Sequence, residues 1–389
     1  MQQEIYLDNS ATTRQYDEVT VLMADVAANT YGNPSSLHTK GIEAEKLITA
    51  ARETIAASLG VEPKEIYFTS GGTESNNLAI RGYLEANPRK GKHIITTKIE
   101  HPSVLEVYRR LEECGYRVDF IGVNGAGRLD IQEIREKLNQ ETALLSVALV
   151  NNETGTIQQL EEIAAIRDAV NPQVIIHADA VQAYGKFFIN PQKSGIGMLT
   201  ISSHKIHGPK GVGALYASKN IRLKPLFNGG GQESLLRSGT ENVPGIAGFG
   251  LAADITFEKL ENSHKRVSIL KNSFIEKLSA SGIRHYIISP SDTSPYILNA
   301  AFEDIRAEVL LHHLEQRRIF VSTGSACSSH KNTRSHVLSA MGVPTRLIDG
   351  AIRFSFSAFN TIEEINFAFE AIKEIIPSIE INRNNKTRR

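Results

Sequence analysis

The 389-residue chain is long enough for two or three structural units with a full hydrophobic core, which excludes a small disulfide-stapled scaffold. Its 43 Lys and Arg balance 43 Asp and Glu, so no global field favours direct nucleic-acid or anionic-membrane partners, and 41% apolar residues exclude wholesale disorder. No uncharged apolar run approaches the roughly 18 residues that span a bilayer, and Met1 to Leu7 lacks the basic-then-apolar order of an export signal, so a cytoplasmic location is expected.

From about residue 36 to about residue 216, apolar strand-like runs alternate with helical patterns, the rhythm of a parallel sheet with crossover helices. Ile42, Leu47, Ile48, Ala51, Ile55 and Leu59 recur at helical spacing, and Gly60 follows as a stop. Ile66 to Phe68 reads as a strand, Thr73 to Leu84 as a helix, His93 to Thr96 as a strand, and Pro102 to Glu113 as a helix opened by proline. Leu144 to Val150, Val174 to His177, Met198 to Ile201 and Val212 to Tyr216 read as buried strands. A long amphipathic helix over Asp254 to Ser279 then opens a second, mixed region. The large domain is expected over residues 15–255 and the small one over 1–14 and 256–380, with 381–389 as a disordered basic tail.

Four segments carry chemistry. Ser70-Gly71-Gly72-Thr73 follows a strand and opens a helix, so its N–H groups form an anion cradle suited to a phosphate, although glycine turns before helices are common. Asp179, in His177-Ala178-Asp179, stands at the end of a buried strand, where a carboxylate either meets a cationic ring nitrogen or caps the next helix. Lys205, in Ser202-Ser203-His204-Lys205-Ile206-His207-Gly208-Pro209, is a candidate Schiff-base lysine, although most lysines are merely solvated. A phosphate cradle, a strand-end carboxylate and a strand-end amine together match the needs of pyridoxal 5'-phosphate. Cys327 is flanked by Thr323, Gly324, Ser325, Ala326 and Ser328, which offer no apolar face, so an accessible loop is expected. Cys114, ending an amphipathic helix before Gly115, reads instead as structural. The rival reading is a metal-dependent hydrolase, because His177-x-Asp179 and His204-x-x-His207 have the spacing of ligand pairs.

With these segments in hand, the chain closely resembles the cysteine desulfurases of NifS/IscS type, members of the fold-type I pyridoxal-phosphate enzymes. Tyr6-Leu7-Asp8-Asn9-Ser10-Ala11-Thr12-Thr13, Tyr31-Gly32-Asn33-Pro34, Glu100-His101, Asn151-Asn152-Glu153-Thr154-Gly155, Arg237-Ser238-Gly239-Thr240 and Thr323-Gly324-Ser325-Ala326-Cys327 all fit the family pattern in order. The family commonly has an arginine where this chain has Ala358, so a contact there is altered.

The resemblance implies an α/β fold, with a mainly parallel seven-stranded sheet in the large domain and a smaller α+β domain. It implies that Lys205 bonds the cofactor, Asp179 pairs with its ring nitrogen, Gln182 binds its phenolic oxygen, and His101 stacks on the ring and manages protons. Gly72, Thr73, Ser202 and His204 would hold the phosphate, with Thr240 reaching in from the other subunit of a homodimer. Asn152 and Arg353 would bind the carboxylate of the substrate, L-cysteine. Cys327 would take the sulfur as a persulfide, release alanine, and pass the sulfur to an acceptor protein, either a cluster scaffold or a thiolation protein.

Overall fold

The computed structural model describes residues 4–324 and 334–386, and side chains as far as residue 379. Its strands are β1 (Ile5–Tyr6), β2 (Ile66–Thr69), β3 (His93–Thr97), β4 (Arg117–Ile121), β5 (Thr142–Ala148), β6 (Ile175–Asp179), β7 (Met198–Ser202), β8 (Gly213–Ala217), β9 (His285–Ile287), β10 (Ile297–Phe302), β11 (Ile319–Phe320) and β12 (Ala351–Ser355). Its helices are α1 (Asp17–Asn29), α2 (Thr39–Leu59), α3 (Gly72–Asn77), α4 (Tyr83–Ala86), α5 (Pro102–Glu113), α6 (Ile131–Lys137), α7 (Leu160–Val170), α8 (Val243–Glu258), α9 (Leu260–Ala280), α10 (Ala307–Gln316), α11 (His336–Ala340), α12 (Thr345–Ile348) and α13 (Ile362–Lys386). A π-helical turn, Leu78–Gly82, joins α3 to α4.

The large sheet has the order β2-β8-β7-β6-β5-β3-β4. Its pairings from β7 to β4 are parallel, while β8 pairs antiparallel with both β2 and β7. Thus β8 alone runs against the rest, and the seven-stranded sheet is mainly parallel, as the resemblance implies. Side chains alternate between the two faces: Ile94, Leu144, Met198 and Leu215 join one core, and Ile95, Leu145, Leu199 and Ala214 the other. Burial on both faces explains why these strands read as continuous apolar runs. A three-stranded antiparallel sheet, β12-β10-β9, has its own core with α9, α10 and α13, including Phe274, Leu298, Leu310, Phe354 and Ile372.

The amphipathic helix expected over Asp254 to Ser279 is two helices, because the chain breaks at Lys259 (φ −99°, ψ 4°) between α8 and α9. Most of α8 escapes a periodicity search, being buried around much of its circumference and rich in glycine. The glycines have a packing reason: a Cβ on Gly250 would lie 2.8 Å from Ala51 Cα of α2, and one on Gly248 would lie 2.9 Å from Met23 of α1. Strand β4, with an exposed first residue and three half-buried ones, also lacks the apolar run that marks its neighbours. At the other end of the chain, α13 continues to Lys386 and so reaches into the segment for which disorder is expected. No helix among the described residues is long and apolar enough to cross a membrane.

Candidate active site

Because β2, β3, β5, β6 and β7 point the same way, the turns that follow them gather at one edge of the sheet, where ligands of open α/β sheets bind. Those turns carry Gly71-Gly72, His101, Asn152, Asp179 and Lys205. Close backbone approach builds the first of them. Gly71 has φ +152°, and a Cβ on Gly213 of β8 would come within 2.7 Å of Gly71 Cα. A Cβ on Gly72 would come within 2.8 Å of Val181 and 3.9 Å of Ser202 Cβ, so this cradle borders both the Asp179 and the Ser202 segments. Glu74 closes it by accepting from Ser70 N at 2.9 Å and from Arg237 Nε at 3.0 Å.

Asp179 is buried, with Oδ1 accepting from Val181 N at 3.0 Å and Oδ2 from Asn76 Nδ2 at 2.8 Å. Lys205 Nζ donates to Ala11 O at 2.7 Å and also to Ser10 O. Gln182 Nε2 donates to the same Ser10 carbonyl at 2.9 Å, while its Oε1 accepts from Lys186 Nζ at 2.9 Å. Burial, with Lys205 and Arg353 nearby, pushes the Lys186 ammonium down to about 7. His204 is pushed down to about 4 by burial and then by Lys205, Lys210 and Lys186, and its Nδ1 lies 3.2 Å from Thr12 Oγ1.

Arg353, on β12, is 2% exposed and donates to Asp8 Oδ1 at 2.9 Å and to Asn152 O at 3.0 Å. Its Nε is buried with no hydrogen-bond partner among the described residues. The N-terminal segment therefore crosses from the small sheet into the site, placing Asp8 on Arg353 and the Ser10 and Ala11 carbonyls on Lys205.

These residues fit pyridoxal phosphate on the chemistry of the donor set. Ser202 Oγ and Ser203 Oγ are buried with no hydrogen-bond partner among the described residues. Ser202 lies beside the open Gly71-Gly72 turn, where a phosphate would satisfy its hydroxyl. A buried carboxylate and an amine held near it on the adjacent strand-end supply the other two anchors. A cavity of about 820 Å³, whose walls include Thr73, His101 and Ser103, runs from this edge along α5 to Cys114.

Thr240 is exposed, and no hydrogen bond among the described residues ties it to this cluster. Cys327 lies outside the described residues. Cys114 is exposed at the α5 terminus, which corrects its reading as a structural residue: the helix's apolar face does not include the thiol. The rival metal reading finds His177 enclosed, with Nδ1 3.0 Å from Ser146 Oγ and Nε2 3.1 Å from Thr200 Oγ1, while His207 Nδ1 donates to Arg14 O at 2.8 Å. No group of three or more potential ligands that could hold a metal ion exists among the described residues.

Four further residues of the site have no role assigned from the sequence, although Asp8 lies within one of the matching stretches: Asn76, Ser103, Asp8 and Lys186. A fifth, Glu153, is buried and accepts from Ser335 Oγ at 2.5 Å, and it leaves no room for a Cβ on Gly324. It thereby packs against both ends of the stretch that contains Cys327. Burial pushes its carboxyl up to about 7.

Fold and site define a pyridoxal-phosphate enzyme of fold-type I, and the chain belongs to the aminotransferase class-V family, whose model matches residues 5–367. It is 44% identical over 374 residues to a cysteine desulfurase of Trichormus azollae, covering 96% of this chain and 92% of that protein. It is 41% identical over 380 residues to the cysteine desulfurase IscS of Dictyoglomus turgidum, covering 97% and 96%. Among solved structures, a NifS-like protein superposes with a TM-score of 0.91 at 39% identity, covering 96% of this chain and all of that one.

Proposed function

We propose that this chain is a pyridoxal-phosphate-dependent cysteine desulfurase, converting L-cysteine to L-alanine and leaving the sulfur on Cys327 as a persulfide. The observation that carries the reading is the convergence of Lys205, Asp179, Gln182 and the unpartnered Ser202 hydroxyl at one sheet edge. Gly72, Thr73, Ser202 and His204 would hold the cofactor's phosphate, Asp179 its ring nitrogen, Gln182 its phenolic oxygen and Lys205 its aldehyde carbon. When bound, the cofactor supplies an electron sink for the bonds around the substrate's Cα.

Asn152 and the Arg353 guanidinium orient the substrate carboxylate. Lys205 takes the proton from the substrate's Cα. The Cys327 thiolate attacks the substrate sulfur; the new S–S bond forms as the Cβ–S bond breaks, its electron pair stays with Cβ, and a proton added at Cβ together with the one that Lys205 returns to Cα completes alanine.

The active unit is a homodimer in this reading, with Thr240 completing the partner's phosphate site. Exposed Tyr31, Leu37 and Leu235, at 73%, 96% and 73%, supply apolar surface for such an interface. In this reading the chain divides into a large domain over 15–255 and a small one over 1–14 and 256–380, a division supported by the core that Ile5 and Leu7 share with Phe274, Leu298 and Phe354. It works in the cytoplasm and passes sulfur to an acceptor protein, either a cluster scaffold or a thiolation protein. The test is mass spectrometry of the holoenzyme mixed with L-cysteine and alkylated at once. One added sulfur on the Cys327 peptide with stoichiometric alanine is expected, and alanine without that adduct overturns the reading.

A further inference from the structure

His101 is the N-cap of α5, and two donors converge on one of its ring nitrogens. Ser103 N donates to Nδ1 at 3.1 Å, and Ser103 Oγ stands 2.8 Å from the same atom. The direction of the second bond follows from its neighbours. The Asp179 carboxylate accepts, so the Asn76 group facing Asp179 Oδ2 at 2.8 Å is the Nδ2 amide, and the reverse orientation would set two acceptors against each other. Asn76 Nδ2 carries two hydrogens, and its second reaches Ser103 Oγ at 2.8 Å. Asn76 Oδ1, left buried without a partner, is the residue of an orientation dictated by the carboxylate. Ser103 Oγ therefore accepts from Asn76, and its own hydrogen is directed to His101 Nδ1.

We propose that Asn76 and Ser103 are positioning residues that fix His101 as the neutral tautomer carrying its proton on Nε2, so that His101 serves the active site only as an Nε2–H donor. To become an imidazolium, the ring must take a proton on the one nitrogen already engaged by a backbone N–H and a hydroxyl. The positive end of α5 opposes that charge as well. Asp179 from β6 favours the charged form, while Lys205 and His336 of α11 oppose it, and burial is the largest influence; the net direction is a lowered pKa. Glu106, on the same helix, lines the cavity beyond. In the proposed reaction the ring thus supports charge by donation and takes no proton from the substrate thiol, which narrows the proton-managing role expected from the sequence. This consequence rests on the function proposed above, whereas the tautomer itself does not.

The test is selective ¹³C and ¹⁵N labelling of the 12 histidines in the full chain, with and without cofactor. His101 is assigned by the signal lost in His101→Gln. An unprotonated Nδ1 and protonated Nε2 are expected without titration across about pH 5.5 to 8, where an ordinary histidine changes charge. Ser103→Ala should raise the titration midpoint towards the ordinary histidine value, and Ser103→Thr should restore the parent behaviour. An Nδ1–H tautomer, an imidazolium in that range, or a Ser103→Ala spectrum identical to the parent overturns the proposal. These readouts need no turnover, so failure of the desulfurase reading leaves them distinguishable.

Discussion

Lys186 Nζ stands 2.9 Å from Gln182 Oε1, fixing which end of that amide faces the Lys205 site. With its oxygen engaged, Gln182 presents N–H groups to Ser10 O and to the space where the proposal places the cofactor's phenolic oxygen. Lys186→Met keeps the side-chain length and releases the amide to rotate. Cofactor retention on dialysis should fall about tenfold, since leaving a buried acceptor unsatisfied costs about 1–3 kcal/mol. Stability should move the other way at low pH. A native pKa near 7, below the ordinary 10.5, means the native state resists a proton that the unfolded chain binds, so the parent loses stability as pH falls through that window. Methionine removes this loss. A cofactor-free variant less stable than the parent at pH 6, with unchanged retention, refutes the positioning role.

The three lysines near the site separate by environment. Lys186 is buried on Gln182, Lys210 is exposed, and Lys205 reaches the Ser10 and Ala11 carbonyls. Borohydride reduction of the holoenzyme followed by peptide mapping should therefore place the cofactor on Lys205. In Lys205→Ala the visible absorption band and the trapped adduct should both vanish, while the fold survives by far-ultraviolet circular dichroism. A reduced cofactor on Lys186 or Lys210 contradicts the assignment.

The layout of the sheet was largely written in the sequence, because strands buried on both faces are continuous apolar runs between helical patterns. The reversal of β8 was not, since direction leaves no mark on a five-residue apolar run such as Gly213–Ala217. Helix α8 was hidden for a related reason: it is buried around much of its surface and close-packed through Gly248 and Gly250, so it lacks the polar face that marks an amphipathic helix, and its glycines weaken its local helix signal. Lys205, Asp179 and the Gly71-Gly72 turn were legible because each stands directly after an apolar strand. Asn76 and Ser103 were not, as their roles come from one amide reaching across from α3 to β6 and α5. Asp8 and Arg353 are 345 positions apart in sequence, and only the pairing of the N-terminal segment with β12 brings them to 2.9 Å.

Glu100 is buried, with Oε1 accepting from Thr97 Oγ1 at 2.7 Å and from Ala148 N at 2.9 Å, while Oε2 has no partner among the described residues. Burial, reinforced by Asp179, pushes the carboxyl up to about 8 from 4.5. Between those values the native state keeps a proton that the unfolded chain releases, so stability falls as pH rises through the window, by about 1.4 kcal/mol per unit. Glu100→Gln preserves both accepted bonds and carries no titrating proton. Denaturant unfolding should show the variant close to the parent near pH 5 and clearly more stable than it at pH 9. Parallel curves across that range would place the titration elsewhere.

The two cysteines make opposite predictions although both are accessible in expectation or in fact. Cys114 is exposed at the end of α5, on the wall of the cavity that begins at Thr73 and His101, and the proposed chemistry gives it no task. Cys114→Ser should leave turnover unchanged and shift stability by no more than about 0.5 kcal/mol, as surface substitutions do. Cys327→Ser should leave the cofactor spectrum and L-cysteine binding intact, because the substitution keeps Lys205, the Ser10 and Ala11 carbonyls to which it donates, and the Gly71-Gly72 cradle. Alanine formation should nevertheless collapse: a serine oxygen cannot accept the substrate sulfur as a thiolate does, so the Cβ–S bond has no nucleophile to release it. The measurement is alanine yield in a single turnover, paired with the visible spectrum on mixing with L-cysteine. A normal spectral response with lost alanine assigns the sulfur step to Cys327. Full alanine yield in Cys327→Ser with loss in Cys114→Ser would reverse the two assignments, and the cavity along α5 would then be the route by which the substrate sulfur leaves.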